Sequence, residues 1–212
     1  MVPVLSSPLV SWRRLAVGAL LLVTACQTAP PVTVDAKFTA APALSAPDDR
    51  KTAVVAVLPV EDGTPNAGAA RLLTMMRQEL ERQLIDRLYS PLTSQTVDAA
   101  LRGTGKPAPT ESLLAPANLQ KMAGHAHEDA VFAMRIVRWD ETRIATTSRV
   151  QFQFQAAMVG RDGVPLWNGT IQGEVKAGGA GPAPLDNDGK ARSCASLAIT
   201  EMLQRLPRRT VR

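Results

Sequence analysis

The sequence predicts an α/β domain: a mixed sheet of about five strands, helices packed mainly on one face, and a long antiparallel hairpin followed by a C-terminal helix. Three observations carry this prediction. Ala53-Val54-Val55-Ala56-Val57-Leu58 is apolar on both alternating faces, the pattern of a strand covered on both sides or buried at the middle of a sheet. Between residues 67 and 88 the apolar period changes to three and four, with Leu73, Met76, Leu80 and Leu84 on one helical face. Asp162-Gly163 then separates two long runs of alternating polarity, a strong two-residue hairpin signal.

Taken in order, the chain begins with an export signal, residues 1–25. Arg13 and Arg14 precede the apolar run Leu15 to Val23, and small residues close it. The run is too short to span a bilayer, which takes roughly 20 apolar residues. Val23-Thr24-Ala25-Cys26 resembles the lipobox of bacterial lipoproteins, so Cys26 is the expected lipidation site and the expected mature N-terminus. Gln27, not an aspartate, follows it, which favours the outer membrane with the domain facing the periplasm. Residues 26–51 carry Pro30, Pro31, Pro42 and Pro47 among Ala, Thr and Ser and read as a lipidated flexible tether. Residues 52–212 then form a single α/β domain with a basic C-terminal tail.

Composition excludes some classes. Removing residues 1–25 takes away Arg13 and Arg14, so the 24 Lys and Arg fall to 22 against 19 Asp and Glu, and the net charge falls from +5 to +3. That balance argues against nucleic acid. The clearest basic cluster, Arg205, Arg208, Arg209 and Arg212, has no aromatic residue interleaved for base stacking. Such a tail reads as solvated, or as a contact to anionic lipid or cell-wall polymer. Cys194 is left alone if Cys26 carries lipid, and its alanine-dense helical surroundings read as burial rather than an intermolecular bridge.

Within the domain, Pro59 and a polar loop to Asn66 end the first strand, and a long amphipathic helix spans 67–88 with Arg77 facing Glu81 and Arg82 facing Asp86 on its polar side. A short extended piece at 89–92 leads to a helix capped near Ser94 and running to Leu101. Gly103-Thr104-Gly105-Lys106 lacks the spacing and the Ser or Thr of a phosphate loop. Pro116 opens a third, short helix stopped by Gly124, and a strand from Val131 to Trp139 places Phe132, Met134 and Ile136 on one face. Between them, His125, His127 and Asp129, with Glu128, form the one grouping of metal-ligand types. A helix-to-strand connection is ordinarily polar, and structural sites need four well-spaced ligands, so no metal is expected there.

Centring the hairpin on Asp162-Gly163 pairs Met158 with Trp167, Ala156 with Gly169, Phe154 with Ile171, Phe152 with Gly173 and Val150 with Val175. The opposite face then carries Gln151, Gln153, Gln155, Thr170 and Gln172, an amide-rich surface that faces water or a partner. A slip of one residue would bury those glutamines, so the register is well specified. Residues 176–188 read as a loop and 190–206 as the last helix, closed by Pro207.

In this order, the Val57-Leu58-Pro59 strand end, Tyr89 before a helix, Pro116-Ala117-Asn118-Leu119, Asp129-Ala130-Val131 and Leu166-Trp167-Asn168-Gly169 after the turn resemble a family of bacterial lipoproteins of the neisserial genome-derived antigen type. That family is similar in fold to the N-terminal domain of TolB and to the periplasmic domain of the curli secretion channel. The resemblance covers residues 52–206 and departs at the His125 to Glu128 segment and after Val175. It implies no catalytic residues and no cofactor, and an accessory role in envelope transport or secretion, with other envelope proteins as partners and a possible homo-oligomer. Two further roles remain from such tethered domains: activation of a cell-wall synthase, and, with less in its favour, a secretion-pore subunit. No nucleophile and base pairing or cofactor loop appears in the sequence, so an enzyme is not expected.

Overall fold

A computed structural model describes residues 32–45, 54–102, 114–178 and 186–209. All of them belong to one compact unit, Pro31–Arg212. Cys26 lies outside the described residues.

Among the described residues seven strands form one mixed sheet, rather than about five. In chain order they are β1 (Val32–Ala40), β2 (Val54–Val57), β3 (Glu61–Asp62), β4 (Ser90–Pro91), β5 (Ala130–Asp140), β6 (Arg149–Gly160) and β7 (Pro165–Lys176). The spatial order is β1-β7-β6-β5-β2-β4, with β3 also pairing with β5. The helices are α1 (Leu73–Asp86), α2 (Ser94–Leu101), α3 (Pro116–Met122), α4 (Ile144–Thr147) and α5 (Asn187–Leu203).

The reading of residues 26–51 as a tether is corrected over 32–45 by β1 and the turn after it, while its remaining residues lie outside the described ones. Val32, Val34, Ala36 and Phe38 alternate with Thr33, Asp35, Lys37 and Thr39, and the strand lies antiparallel on β7, with Val32 beside Val175 and Ala40 beside Trp167. Proline on both sides hides this period-two stretch in any composition average. Leu44, in a short 3₁₀ turn after β1, is also buried.

The hairpin register agrees with the sequence reading at all nine pairs from Val150–Val175 to Met158–Trp167. β5 joins β6 with Phe132 beside Met158, Met134 beside Ala156 and Ile136 beside Phe154, then a bulge after Ile136 brings Trp139 beside Phe152. These residues make one face of the sheet, and α1, α5 and α4 cover it to give the larger core. A smaller core lies on the other face at one end, where Val97 of α2 and Leu119 and Met122 of α3 cover Ala56, Leu58, Val131, Ala133, Ala157 and Val159. The long helices thus share one face, while two short ones close a corner of the other.

The first helix begins later than 67. Ala67 has φ of 50°, and 3₁₀ turns carry the chain to Leu73. Asp62 organises this entry by accepting from the Thr64 and Ala69 backbone N–H groups at 2.9 and 3.0 Å. Arg77, expected on the solvent face, is only 7% exposed. Its guanidinium donates twice to the Val57 carbonyl, at 3.0 and 2.8 Å, and once to Asp98 at 2.7 Å, tying α1 to the end of β2 and to α2. Glu81 is a more distant partner at 3.8 Å. Ile85, near the end of α1, is exposed.

A polar cluster locks α1 to α5. Glu79 accepts from Arg82 at 2.6 Å, from Ser196 at 2.7 Å and from Gln83 at 2.5 Å, and Gln83 also donates to Thr200. Donation from Arg82, opposed in part by burial, holds the Glu79 carboxyl at about 2, below its ordinary 4.5. The folded value lies below the unfolded one, so the stabilisation is complete above about pH 4.5 and is lost as pH falls toward 2. Acid titration of thermal stability over that window checks this. The Glu79→Gln variant is expected to have a flatter profile, and a variant with the parent's slope would remove Glu79 as its source.

Candidate docking face

The strand alternation that buries one side of β1, β7, β6 and β5 leaves three polar rows on the other. Register places Asp140, Gln151, Glu174 and Thr33 in the first row. Arg138, Gln153, Gln172 and Asp35 form the second. Arg135, Gln155, Thr170 and Lys37 form the third. Beyond it Ala133 and Ala157 enter the smaller core, so α2 and α3 mark where the open face stops.

This surface carries as many acidic as basic side chains among the twelve, which suits neither a polyanion nor a polycation. A groove of about 540 Å³, open to solvent, runs over the first two rows and is lined by Thr33, Asp35, Arg138, Gln151, Gln153, Gln172 and Glu174. A smaller depression of about 200 Å³ continues it along Asp35, Lys37, Thr170 and Gln172.

Some of these groups are already engaged. Arg138 donates to Gln151 at 2.7 Å and to Asp140 at 3.3 Å. Asp140 is held below the usual carboxylate range by the Thr142 backbone N–H at 3.0 Å and then the Thr142 hydroxyl at 2.8 Å. Arg143 at 2.8 Å and Arg149 both pair with Glu174, and Arg135 lies 3.6 Å from Glu61. The side chains of Gln153, Gln155, Thr170 and Gln172 make no hydrogen bond among the described residues. A primary amide offers two donors and an accepting oxygen, so these positions present unused hydrogen-bonding capacity in a fixed array.

Of the sequence-predicted residues, Gln151, Gln153, Gln155, Thr170 and Gln172 are therefore brought together on one face. Thr33, Asp35 and Lys37 complete it and were missed with β1. Their alternation with Val32, Val34, Ala36 and Phe38 was the available signal.

The His125 to Asp129 segment is organised differently. A ring nitrogen of His125 lies 2.7 Å from the Lys121 carbonyl, and His127 adopts φ of 58° in the turn. Glu128 is fully buried and accepts from the Gly124 and Ala126 backbone N–H groups, while Asp129 accepts from the Val54 N–H at 2.8 Å. The carboxylates thus serve the turn and the start of β2. Among the described residues no group of three His, Cys, Asp or Glu is placed to hold a metal ion.

Cys194 is buried against the Val175 and Ser148 carbonyls, and burial pushes its thiol up to about 12. A thiol in that state is a small hydrophobe rather than a nucleophile. No helix among the described residues is long and apolar enough to cross a membrane. The β6–β7 hairpin is flanked by β5 and β1 and gives one face wholly to the core.

No protein-family model and no curated protein matches this chain. Among solved structures it is similar to a point-variant PelC dodecamer from Paraburkholderia phytofirmans, at 12% identity and a TM-score of 0.50, over 84% of this chain and 100% of that one. It is also similar to lipoprotein GNA1162 from Neisseria meningitidis, at 16% identity and a TM-score of 0.45, over 71% of this chain and 99% of that one. The C-terminal domain of LpoB from Salmonella enterica follows at 18% identity and a TM-score of 0.39, over 63% and 89%. The likeness to the PelC variant shows the fold.

Proposed function

We propose that this chain is a lipid-anchored, non-enzymatic accessory of a cell-envelope transport or secretion assembly. In this reading Cys26 holds it in the outer membrane, the domain faces the periplasm, and another envelope protein docks on the open sheet face. The observation that carries the proposal is that face: a groove rimmed by the unengaged amides of Gln153 and Gln172, built on four paired strands. A rigid sheet holds such groups in place at little entropic cost on binding. Val23-Thr24-Ala25-Cys26 supplies the anchor. A homo-oligomer enters the reading from the dodecameric state named for PelC and from nothing finer.

Two measurements test it. The Cys26→Ala variant is expected to leave the membrane fraction, and retention there would refute the anchor. A photo-crosslinker at Gln153 in native membranes is expected to give a discrete adduct with another envelope component, whereas one at the exposed Arg82 on the helical side gives none. Recovery of the monomer alone from Gln153, in several mild detergents, would refute the docking face.

A further inference from the structure

We propose that the domain stands on its own membrane on the end of the sheet where β1 begins, with basic side chains of that end against anionic lipid headgroups. This rests on the lipidation of Cys26 proposed above. It follows from how much chain lies outside the described fold and from where that chain enters it.

From Cys26 to Val32 there are six residue steps. Fully extended, six steps reach about 20 Å. β1 has nine residues and covers about 27 Å from Val32 to Ala40 at the ordinary rise of a strand. Pairing fixes the two ends of the sheet: Val32 lies beside Val175 and, one strand further, Val150, whereas Ala40 lies beside Trp167 and then Met158. A domain inverted to rest on the Ala40 end would lift Val32 further from the lipid than its leash allows. The short leash therefore selects the Val32 end.

The charge at that end suits an anionic surface. Arg143 and Arg149 share the single carboxylate of Glu174. Lys176, at the close of β7, and Lys190, in the first turns of α5, make no ion pair among the described residues. Arg71 and Arg192 are matched by Glu141 and Asp188, and Arg138 by Asp140. What the pairs leave over is Lys176, Lys190 and one arginine against Asp35, in the row of Arg138, and Asp186, which caps α5. Of the C-terminal arginines, the most basic cluster by sequence, Arg205 and Arg209 are at the far end: the Arg205 carbonyl accepts the Trp167 indole N–H at 3.2 Å, and Arg209 donates to the Leu88 carbonyl at 2.9 Å. These two arginines are held away from the chain's own membrane and toward the periplasm.

The test uses the full lipidated chain in vesicles of phosphatidylethanolamine and phosphatidylglycerol. A single cysteine is introduced at Thr146, exposed in α4 at the Val32 end, or at Val164, exposed in the hairpin turn at the other end, and labelled with a maleimide fluorophore. Buried Cys194 and lipidated Cys26 do not label. Headgroup spin-labelled lipid is expected to quench Thr146→Cys severalfold more than Val164→Cys. The preference is expected to shrink in high salt and in the Lys176→Glu, Lys190→Glu double variant, as surface attraction to anionic lipid requires. Equal quenching, or the reverse order, in a protein that floats with the vesicles overturns the orientation alone. A parent chain that labels at Cys26 or does not float overturns the anchor, and the orientation with it.

Discussion

Replacing Trp167 by alanine is expected to lower the unfolding free energy by about 3–5 kcal/mol, the range for a large buried aromatic. Trp167 is 1% exposed and joins three parts of the molecule. Its ring stacks on Phe38 of β1 at 4.3 Å and lies 5.8 Å from Phe132 of β5, and its indole N–H donates to the Arg205 carbonyl beyond α5. Truncation leaves a cavity at the junction of β1, the central strands and the C-terminal segment, and strips the carbonyl of its donor. For a domain of this size the melting temperature is expected to fall by roughly 10 °C. Trp167→Phe keeps most of the stacking and loses the hydrogen bond, so it is expected to cost about 1 kcal/mol beyond repacking. Thermal melts of both variants decide the matter. A Trp167→Ala melt within a couple of degrees of the parent would mean that this junction does not hold the fold.

The second large effect concerns the glycines of β7. A Cβ on Gly173 would lie 2.1 Å from the Thr33 carbonyl oxygen, and one on Gly169 would lie 2.1 Å from the Lys37 carbonyl oxygen and 2.5 Å from the Phe38 ring. Both obstacles include backbone of β1, which cannot swing aside as a side chain can. Gly169→Ala and Gly173→Ala are each expected to cost about 1–3 kcal/mol by overpacking. Both press on the same strand, so one displacement of β1 relieves both and the cost of the double variant is expected to fall short of the sum. In the double variant the simplest relief is release of β1, which is an edge strand with inner side chains only half-buried. Hydrogen exchange reads this directly: the amides of residues 33–39 lose protection while those of β5 and β6 keep it. Unchanged protection in β1 would refute the steric account. Release of β1 also dismantles the Thr33, Asp35 and Lys37 edge of the docking groove and lengthens the leash to the anchor, so crosslinking at Gln153 and the quenching preference are expected to weaken together.

How much of this was legible in sequence varied with the range of the interactions. The β6–β7 register was readable to the residue, because Val150, Phe152, Phe154, Ala156 and Met158 alternate with polar positions and Asp162-Gly163 fixes the centre of the turn. The amide face followed from the same alternation. Burial of Cys194 was readable from its helical neighbours. Arg77 was not, since its burial depends on an unmet carbonyl at the end of β2, twenty residues away, which only packing of α1 across that strand brings within reach. Nor was the late start of α1, where the Asp62 carboxylate holds the Thr64 and Ala69 amides in a turn that helical periodicity overrides on paper.

The sequence by itself determined the identity of the buried strands and long helices and the side of the hairpin that faces water. These follow from local chemistry: a period of two or of three to four, and a turn that needs glycine. Only the tertiary structure decided that residues 32–40 are the edge of the sheet and not a tether. That strand is weak on its own, bounded by proline and half-buried. It forms because β7 offers two glycines over which its backbone can close and Trp167 on which Phe38 can stack. The same long-range pairing widens the open polar face to four strands and, under the proposed anchoring at Cys26, leaves six residue steps between anchor and fold.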